Sequence, residues 1–144
     1  MNLSGRWKGK YTYGSNYPAT VVGTSEPFEF EIHDNNGVIR GTCVDNVVKA
    51  VVGNSSIIEG TFSDGLLIFV KKYKFHLGFD EDGKLALLDD VPPSDINYVG
   101  HFKKRFLSGK IYFTGEWQIN FEWTDAAGNT FVSLGEGTWE MSLL

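Results

Sequence analysis

Along 109–124, GKIYFTGEWQINFEWT, the odd positions are Ile111, Phe113, Gly115, Trp117, Ile119, Phe121 and Trp123, and the even positions are Tyr112, Thr114, Glu116, Gln118, Asn120 and Glu122. Side chains alternate faces along a strand, so this period of two predicts a long antiparallel strand with one face on a core and one in water. At roughly 3.3 Å per residue such a strand would run about 50 Å, and Gly115 is where it bends most easily. The same alternation recurs upstream. Trp7, Gly9, Tyr11 and Tyr13 alternate with Arg6, Lys8, Lys10 and Thr12, and Phe28, Phe30 and Ile32 alternate with Glu29, Glu31 and His33.

The turns fix which strand faces which. Asp34-Asn35-Asn36-Gly37 predicts a hairpin, through Asn35-Asn36 or Asn36-Gly37, that keeps Ile32 on the face of Ile39, Gly41 and Cys43. Residues 47–52 and Ser56–Ser63 read as the next hairpin, with the register and the inward set of its first arm open. Asp64-Gly65 as a two-residue loop sets Phe62 opposite Leu67 and turns Leu67, Phe69, Lys71 and Tyr73 inward. Asp82-Gly83 marks a further turn before Leu85–Leu88, and 89–95 is loop. If Ser108-Gly109 is a two-residue loop, Phe106 faces Ile111, Phe102 faces Gly115 and Gly100 faces Trp117, with Lys104 on the inner face. Beyond Ala127, Trp117 faces Gly137, Gly115 faces Trp139 and Phe113 faces Met141.

Glycines thus meet large aromatics across neighbouring strands, and the unit Gly-x-aromatic repeats as GRW at 5–7, GTF at 60–62, GHF at 100–102, GEW at 115–117 and GTW at 137–139. No segment of ten or more residues has a helical period with caps. The expected fold is all-β: one domain over 1–144, a single antiparallel up-and-down β-barrel of about eight to ten strands, closed so that no long apolar edge is exposed.

Composition narrows the partners. The chain has 144 residues, a net charge of −5 and basic residues scattered apart from Lys103-Lys104-Arg105, which points away from nucleic acid and from an anionic membrane surface. The N-terminus has no apolar signal region, and one cysteine, Cys43, makes no internal disulfide, so a cytoplasmic location is expected. His33, His76 and His101 have no metal-ligand spacing, Asp80-Glu81-Asp82-Gly83 departs from a calcium loop at its first and twelfth positions, and no cofactor motif is present. Glu29 and Glu31 lie on an outer face rather than forming an acid/base pair, and Cys43 reads as a small core residue.

With Gly5-Arg6-Trp7 opening the first strand and the Gly-x-aromatic units behind it, the chain resembles the lipocalin and avidin superfamily of meandering barrels. The resemblance implies a barrel that holds a small molecule, with the first-strand Trp7 packed at the closed end. Lipocalins set a basic residue of the last strand over that tryptophan. Residues 135–144 contain none, and no avidin set of biotin contacts maps onto this sequence residue by residue.

The expected function is non-enzymatic binding of a small, partly apolar ligand inside the barrel, an anion being the charged form considered. The candidate ligand-binding residues are Trp7, Tyr11, Phe30, Phe69, Lys71, Tyr73, Phe102, Lys104, Trp117 and Trp139. Aromatics supply area, and an inward lysine requires an anion, water or a route to the rim. The alternative is a barrel filled by its own side chains that acts as a protein-interaction or homo-oligomerisation module.

Overall fold

The computed structural model describes residues 1–45, 56–73, 76–79, 82, 85–88 and 95–144, with the backbone alone for 76–79, 85–88, Phe121, Trp123 and Ser133. The expected arm 47–52, the turn at 80–83 apart from Asp82, the loop before Asp95 and the inward placement of Phe121 and Trp123 lie outside the described residues. Among the described residues there are ten strands: β1 (Gly5–Tyr13), β2 (Ser25–Asn35), β3 (Val38–Asp45), β4 (Ser56–Ser63), β5 (Leu66–Lys72), β6 (His76–Phe79), β7 (Leu85–Leu88), β8 (Ile96–Lys104), β9 (Ile111–Thr124) and β10 (Thr130–Leu143).

Eight of them close into an antiparallel barrel in the order β1-β10-β9-β8-β5-β4-β3-β2, and β6 pairs with β7 as a separate two-stranded sheet. Each barrel strand pairs with its neighbours in sequence once the β6–β7 hairpin is passed over, and β1 returns to β10. The fold is therefore a closed up-and-down barrel, as the alternation and the turns imply. Along the paired length of the described residues, closure leaves no sheet edge.

The alternation of faces is as expected. Trp7, Tyr11, Tyr13, Phe28, Phe30, Ile32, Ile39, Cys43, Ile58, Leu67, Phe69, Phe113, Trp117, Trp139 and Met141 are all buried. Asn36-Gly37 is the loop of the first hairpin, with Asn35 opposite Val38 and positive φ at both loop residues (52° and 85°). Asp64-Gly65 repeats it at 50° and 78°, with Phe62 opposite Leu67. Both are the mirror-image turns whose twist matches that of the strands they join. Trp117 faces Gly137, Trp139 faces Gly115 and Phe113 faces Met141.

The β8–β9 register differs from expectation. Lys104 pairs with Ile111, Phe102 with Phe113, Gly100 with Gly115 and Tyr98 with Trp117. The connection is closed by the Arg105 N–H donating to Lys110 O at 3.0 Å and the Gly109 N–H donating to Arg105 O at 2.9 Å, which leaves residues 106–109 as the loop. Phe106 therefore does not oppose Ile111; it lies in water. The physical reason is that Gly100 and Gly115 face each other, and the space they leave is filled by the Trp139 ring, which lies where a Cβ on Gly100 would stand. β9 pairs with β10 as far as Thr124 opposite Thr130, while its pairing with β8 stops at Ile119, so part of its length is an overhang of the β9–β10 ribbon.

The barrel's two ends are unlike. Of the described connections, one end carries the Asn36-Gly37 and Asp64-Gly65 turns and the 105–110 loop. At the other, the loop-bearing end, β1, β3, β5 and β9 finish, and the described connections there are 14–24 after β1 and 125–129 after β9. At the turn end Trp7 packs edge-on to Phe113 at 5.6 Å and donates its indole N–H to Leu3 O at 2.9 Å, and Phe102 and Phe62 meet the same Phe113 ring. Trp7 thus sits at the closed end, its polar atom satisfied by backbone rather than by a basic side chain of the last strand.

Candidate functional site

Inward-facing rows that run toward the loop-bearing end finish in polar groups. On β3 the row Ile39, Gly41, Cys43 continues to Asp45, and on β5 the row Leu67, Phe69 continues to Lys71. The Asp45 and Lys71 side chains are each 1% exposed, and Lys71 Nζ lies 2.9 Å from Asp45 Oδ2. Just past β5, the half-buried Tyr73 donates its hydroxyl to the same Oδ2 at 2.9 Å. The ammonium also faces the rings of Tyr73 and Tyr11, at 4.6 and 5.2 Å from their centroids. A desolvated cation over aromatic faces gains from the ring quadrupoles as well as from its counter-ion.

Around this pair the wall is aromatic. Tyr11 and Tyr13 from β1 meet edge-to-face at 5.6 Å, and Trp117 from β9 stands edge-on to both. Tyr17, from the connection after β1, packs 4.9 Å from Tyr13 and 5.8 Å from Trp117. It reaches there because Gly135 leaves room: a Cβ on Gly135 would meet the Tyr17 hydroxyl. Asn16 donates its side-chain amide to Leu134 O at 3.0 Å, and the Gly14 N–H donates to Glu136 O at 2.8 Å, tying the same connection to β10. Below the pair, Phe69 stacks on Tyr98 at 4.6 Å and meets Trp139 and Phe30 edge-on at 5.5 and 5.4 Å. Ser56 donates its hydroxyl to Cys43 O at 3.2 Å.

Electrostatically Lys71 and Asp45 are the fully buried charges, and the half-buried Glu26, opposite Tyr11 on β2, lies near enough that burial and then the Asp45 carboxylate raise its pKa. Burial by itself would lower the Lys71 pKa, yet the surrounding thiol, phenols and the Asp45 carboxylate raise it well above the ordinary lysine value. The thiol and phenols are neutral in neutral solution, so there the ammonium's charge partner is Asp45. Burial pushes the Cys43 thiol up to about 11 and the Tyr13 phenol up to about 12, and raises Tyr11, Tyr17, Tyr73 and Tyr98 as well. A thiol so shifted is protonated and unreactive at neutral pH, consistent with a core role for Cys43. Among the described residues no group of three His, Cys, Asp or Glu side chains could hold a metal ion.

The candidate ligand residues divide by height. Tyr11, Lys71, Tyr73 and Trp117 come together at the loop-bearing end. Phe30, Phe69 and Trp139 form the packed layer beneath. Trp7 and Phe102 belong to the turn end, and Lys104 is exposed on the rim there, away from Lys71. Lys71 neither reaches a rim nor waits for an external anion, because Asp45 already pairs with it. Asp45, Tyr13, Tyr17 and Tyr98 join the site without being among the candidates that the sequence singles out. The signal for Asp45 is present: it lies two positions beyond Cys43, on the same face of the same strand.

The protein is thus a closed meander barrel of eight strands with a buried ion pair beside a cluster of tyrosines at its loop-bearing end. No protein-family model and no curated protein matches the chain. Among solved structures it is similar to rhizavidin, at 12% identity over 93% of this chain and 81% of that one with a TM-score of 0.46. It is also similar to the rhizavidin–biotin complex, at 12% identity over 98% and 96% with a TM-score of 0.47, and to the short afifavidin–biotin complex, at 9% identity over 93% and 87% with a TM-score of 0.44.

Proposed function

We propose that this barrel is a non-enzymatic binder of a small, partly apolar molecule without net charge, taken at the loop-bearing end against Tyr11, Tyr13, Tyr17 and Trp117. The observation that carries this reading is the Lys71–Asp45 pair, kept buried beside Tyr11 and Tyr73 at the barrel end away from the Asn36-Gly37 and Asp64-Gly65 turns. Burying two charges in a barrel end is costly, and a purely structural end would be better served by apolar residues of similar volume. A paired cation and anion also offer a donor and acceptors in one place. That suits an amide, alcohol or carbonyl head group more than a carboxylate, which would have to compete with Asp45 for the ammonium.

Native mass spectrometry of freshly purified protein tests whether a small molecule travels with it. Calorimetric titration with matched aromatic amides, alcohols and carboxylates then tests its class. Tighter binding of the neutral members, weakened by Tyr73→Phe, supports the reading, and preferential binding of the carboxylates would return it to an anionic ligand. A second reading, a filled barrel acting as an interaction module, is favoured by the close-packed layer of Phe30, Phe69, Tyr98 and Trp139. It prevails if no molecule co-purifies and none of the panel binds.

A further inference from the structure

Phe106 and Leu107 are 99% and 98% exposed, side by side at the tip of the β8–β9 loop. They are not there because the loop is loose. The Arg105–Lys110 and Gly109–Arg105 hydrogen bonds close it, Gly109 takes the positive φ of 63° that the closure needs, and Arg105 sits 5.7 Å over the Tyr112 ring. The backbone holds two large apolar side chains in water, and neither packs in the core.

Basic side chains predominate in their immediate surroundings. Lys103, Lys104, Arg105 and Lys110 flank the tip, and from Ile96 to Gly115 the chain has no carboxylate side chain, although its net charge is −5. A groove on the barrel's outer wall continues the cationic surface from Arg105 and Lys110 to Lys8 and Lys10, with Glu29 and Glu140 also lining it. Those two carboxylates are engaged by basic neighbours, Glu29 by Arg6 at 2.9 Å and Glu140 by Lys10 at 3.5 Å. Asp34 and Asp64 belong to the other turns of this end, and Asp34 accepts from the Leu3 and Gly37 backbone N–H groups. At the end of β10, which runs beside the start of β9, Leu143 and Leu144 are exposed as well.

We propose that the 105–110 loop is a membrane-docking tip that inserts Phe106 and Leu107 into the interface of an anionic phospholipid bilayer while Lys103, Lys104, Arg105 and Lys110 engage its head groups. A projecting apolar wedge needs a soft apolar medium rather than a preformed groove, and basic residues beside the wedge match the negative surface of such a bilayer. Long lysine and arginine stems reach the head-group level while the tip lies deeper. Docking at this end leaves the loop-bearing end, and the site described there, facing away from the membrane. The tip's role does not depend on what that site binds. In the sequence alone Lys103-Lys104-Arg105 is a short basic run; the structure adds the closed loop that projects two apolar residues from its midst.

The test is flotation of the full chain with vesicles of phosphatidylcholine alone and of phosphatidylcholine mixed with phosphatidylserine. The protein is expected to float with the phosphatidylserine vesicles, less so as salt is raised, and not with phosphatidylcholine alone. Phe106→Ser combined with Leu107→Ser should lower that partition by about tenfold or more, with an unchanged circular dichroism spectrum because neither side chain is packed. Lys103→Gln with Arg105→Gln should lower it too, while Lys72→Gln at the opposite end leaves it as it is. The proposal fails if the parent does not float with phosphatidylserine vesicles. It fails equally if the Ser double variant floats as well as the parent, which would leave surface charge alone. A parent that ignores vesicles but sediments as a dimer, broken by the double variant, would instead make the tip a contact between copies of this chain.

Discussion

Asp45 Oδ2 accepts from both Lys71 Nζ and the Tyr73 hydroxyl, each at 2.9 Å, so one carboxylate oxygen holds together the ends of β3 and β5. The two strands are separated in the sheet by β4, and the contact spans the barrel interior rather than the ladder. Removing one partner strands the other as a buried charge.

Lys71→Met should therefore destabilise the fold by about 3–5 kcal/mol, because Asp45 loses its counter-ion in a desolvated place. Lys71→Met combined with Asp45→Leu should recover most of that loss, since an apolar pair carries no desolvation cost. Urea midpoints for the two single variants and the double variant, read as a thermodynamic cycle, measure it. Additive losses would mean that the pair is not coupled as the 2.9 Å contact implies.

Trp117 tests the packing at the same end. It is buried opposite Gly137, and its indole N–H is shared between Thr12 O at 3.2 Å and Thr138 O at 3.1 Å. Trp117→Ala should cost about 3–5 kcal/mol, as aromatic truncations in packed interiors do. Glu116→Ala on the outer face should change stability by less than about 0.5 kcal/mol. Guanidinium denaturation of both variants gives the comparison, and matching midpoints would contradict the burial of Trp117.

The closed barrel and its inner face are legible in the sequence because a period of two and turn residues needing positive φ are local signals. The first hairpin keeps Ile32, Ile39, Gly41 and Cys43 on one face whichever of its two loops forms, and Asp64-Gly65 sets the register that places Lys71 inside. The partner of Lys71 is harder to read. Asp45 ends β3, and the inward row read from the first hairpin through Ile39, Gly41 and Cys43 stops one step short of it. The β8–β9 register is misleading in the sequence because Ser108-Gly109 has the chemistry of a two-residue loop. Tertiary packing of Trp139 against Gly100 fixes a different alignment, and that contact is remote in sequence. The way Tyr11, Tyr13, Tyr17 and Trp117 meet at the loop-bearing end is likewise not encoded by alternation alone.

The Trp139 ring forbids a side chain at Gly100. A methyl group there would overlap the indole, whose N–H is held by Val99 O at 3.2 Å and Glu116 O at 3.1 Å, so the ring cannot simply swing aside. Gly100→Ala should cost about 1–3 kcal/mol through overpacking. Adding Trp139→Phe should make the Gly100→Ala step less costly than in the parent, by relieving the clash. Thermal unfolding of the four proteins in the cycle checks this, and an equal cost in both backgrounds would show that the ring is not what forbids a Cβ.

Alkaline pH should act on the fold through Cys43. Burial, partly offset by Lys71, raises its thiol from an ordinary 9.0 to about 11 in the folded chain. A group whose folded pKa lies above its unfolded value stabilises fully below the unfolded pKa and loses that contribution as pH climbs toward the folded one. Stability should accordingly fall between about pH 9 and about pH 11, by about 3 kcal/mol from this thiol, since each tenfold change in an ionisation constant is worth about 1.4 kcal/mol. The phenol of Tyr13, pushed up from 10.0 to about 12, extends the decline to higher pH in the same direction. Cys43→Ala should lower stability at neutral pH through the cavity it leaves, yet flatten the loss above about pH 9 relative to the parent. Urea unfolding of both proteins across this range is the measurement. Parallel curves would mean that the thiol ionises no harder in the folded barrel than in the open chain.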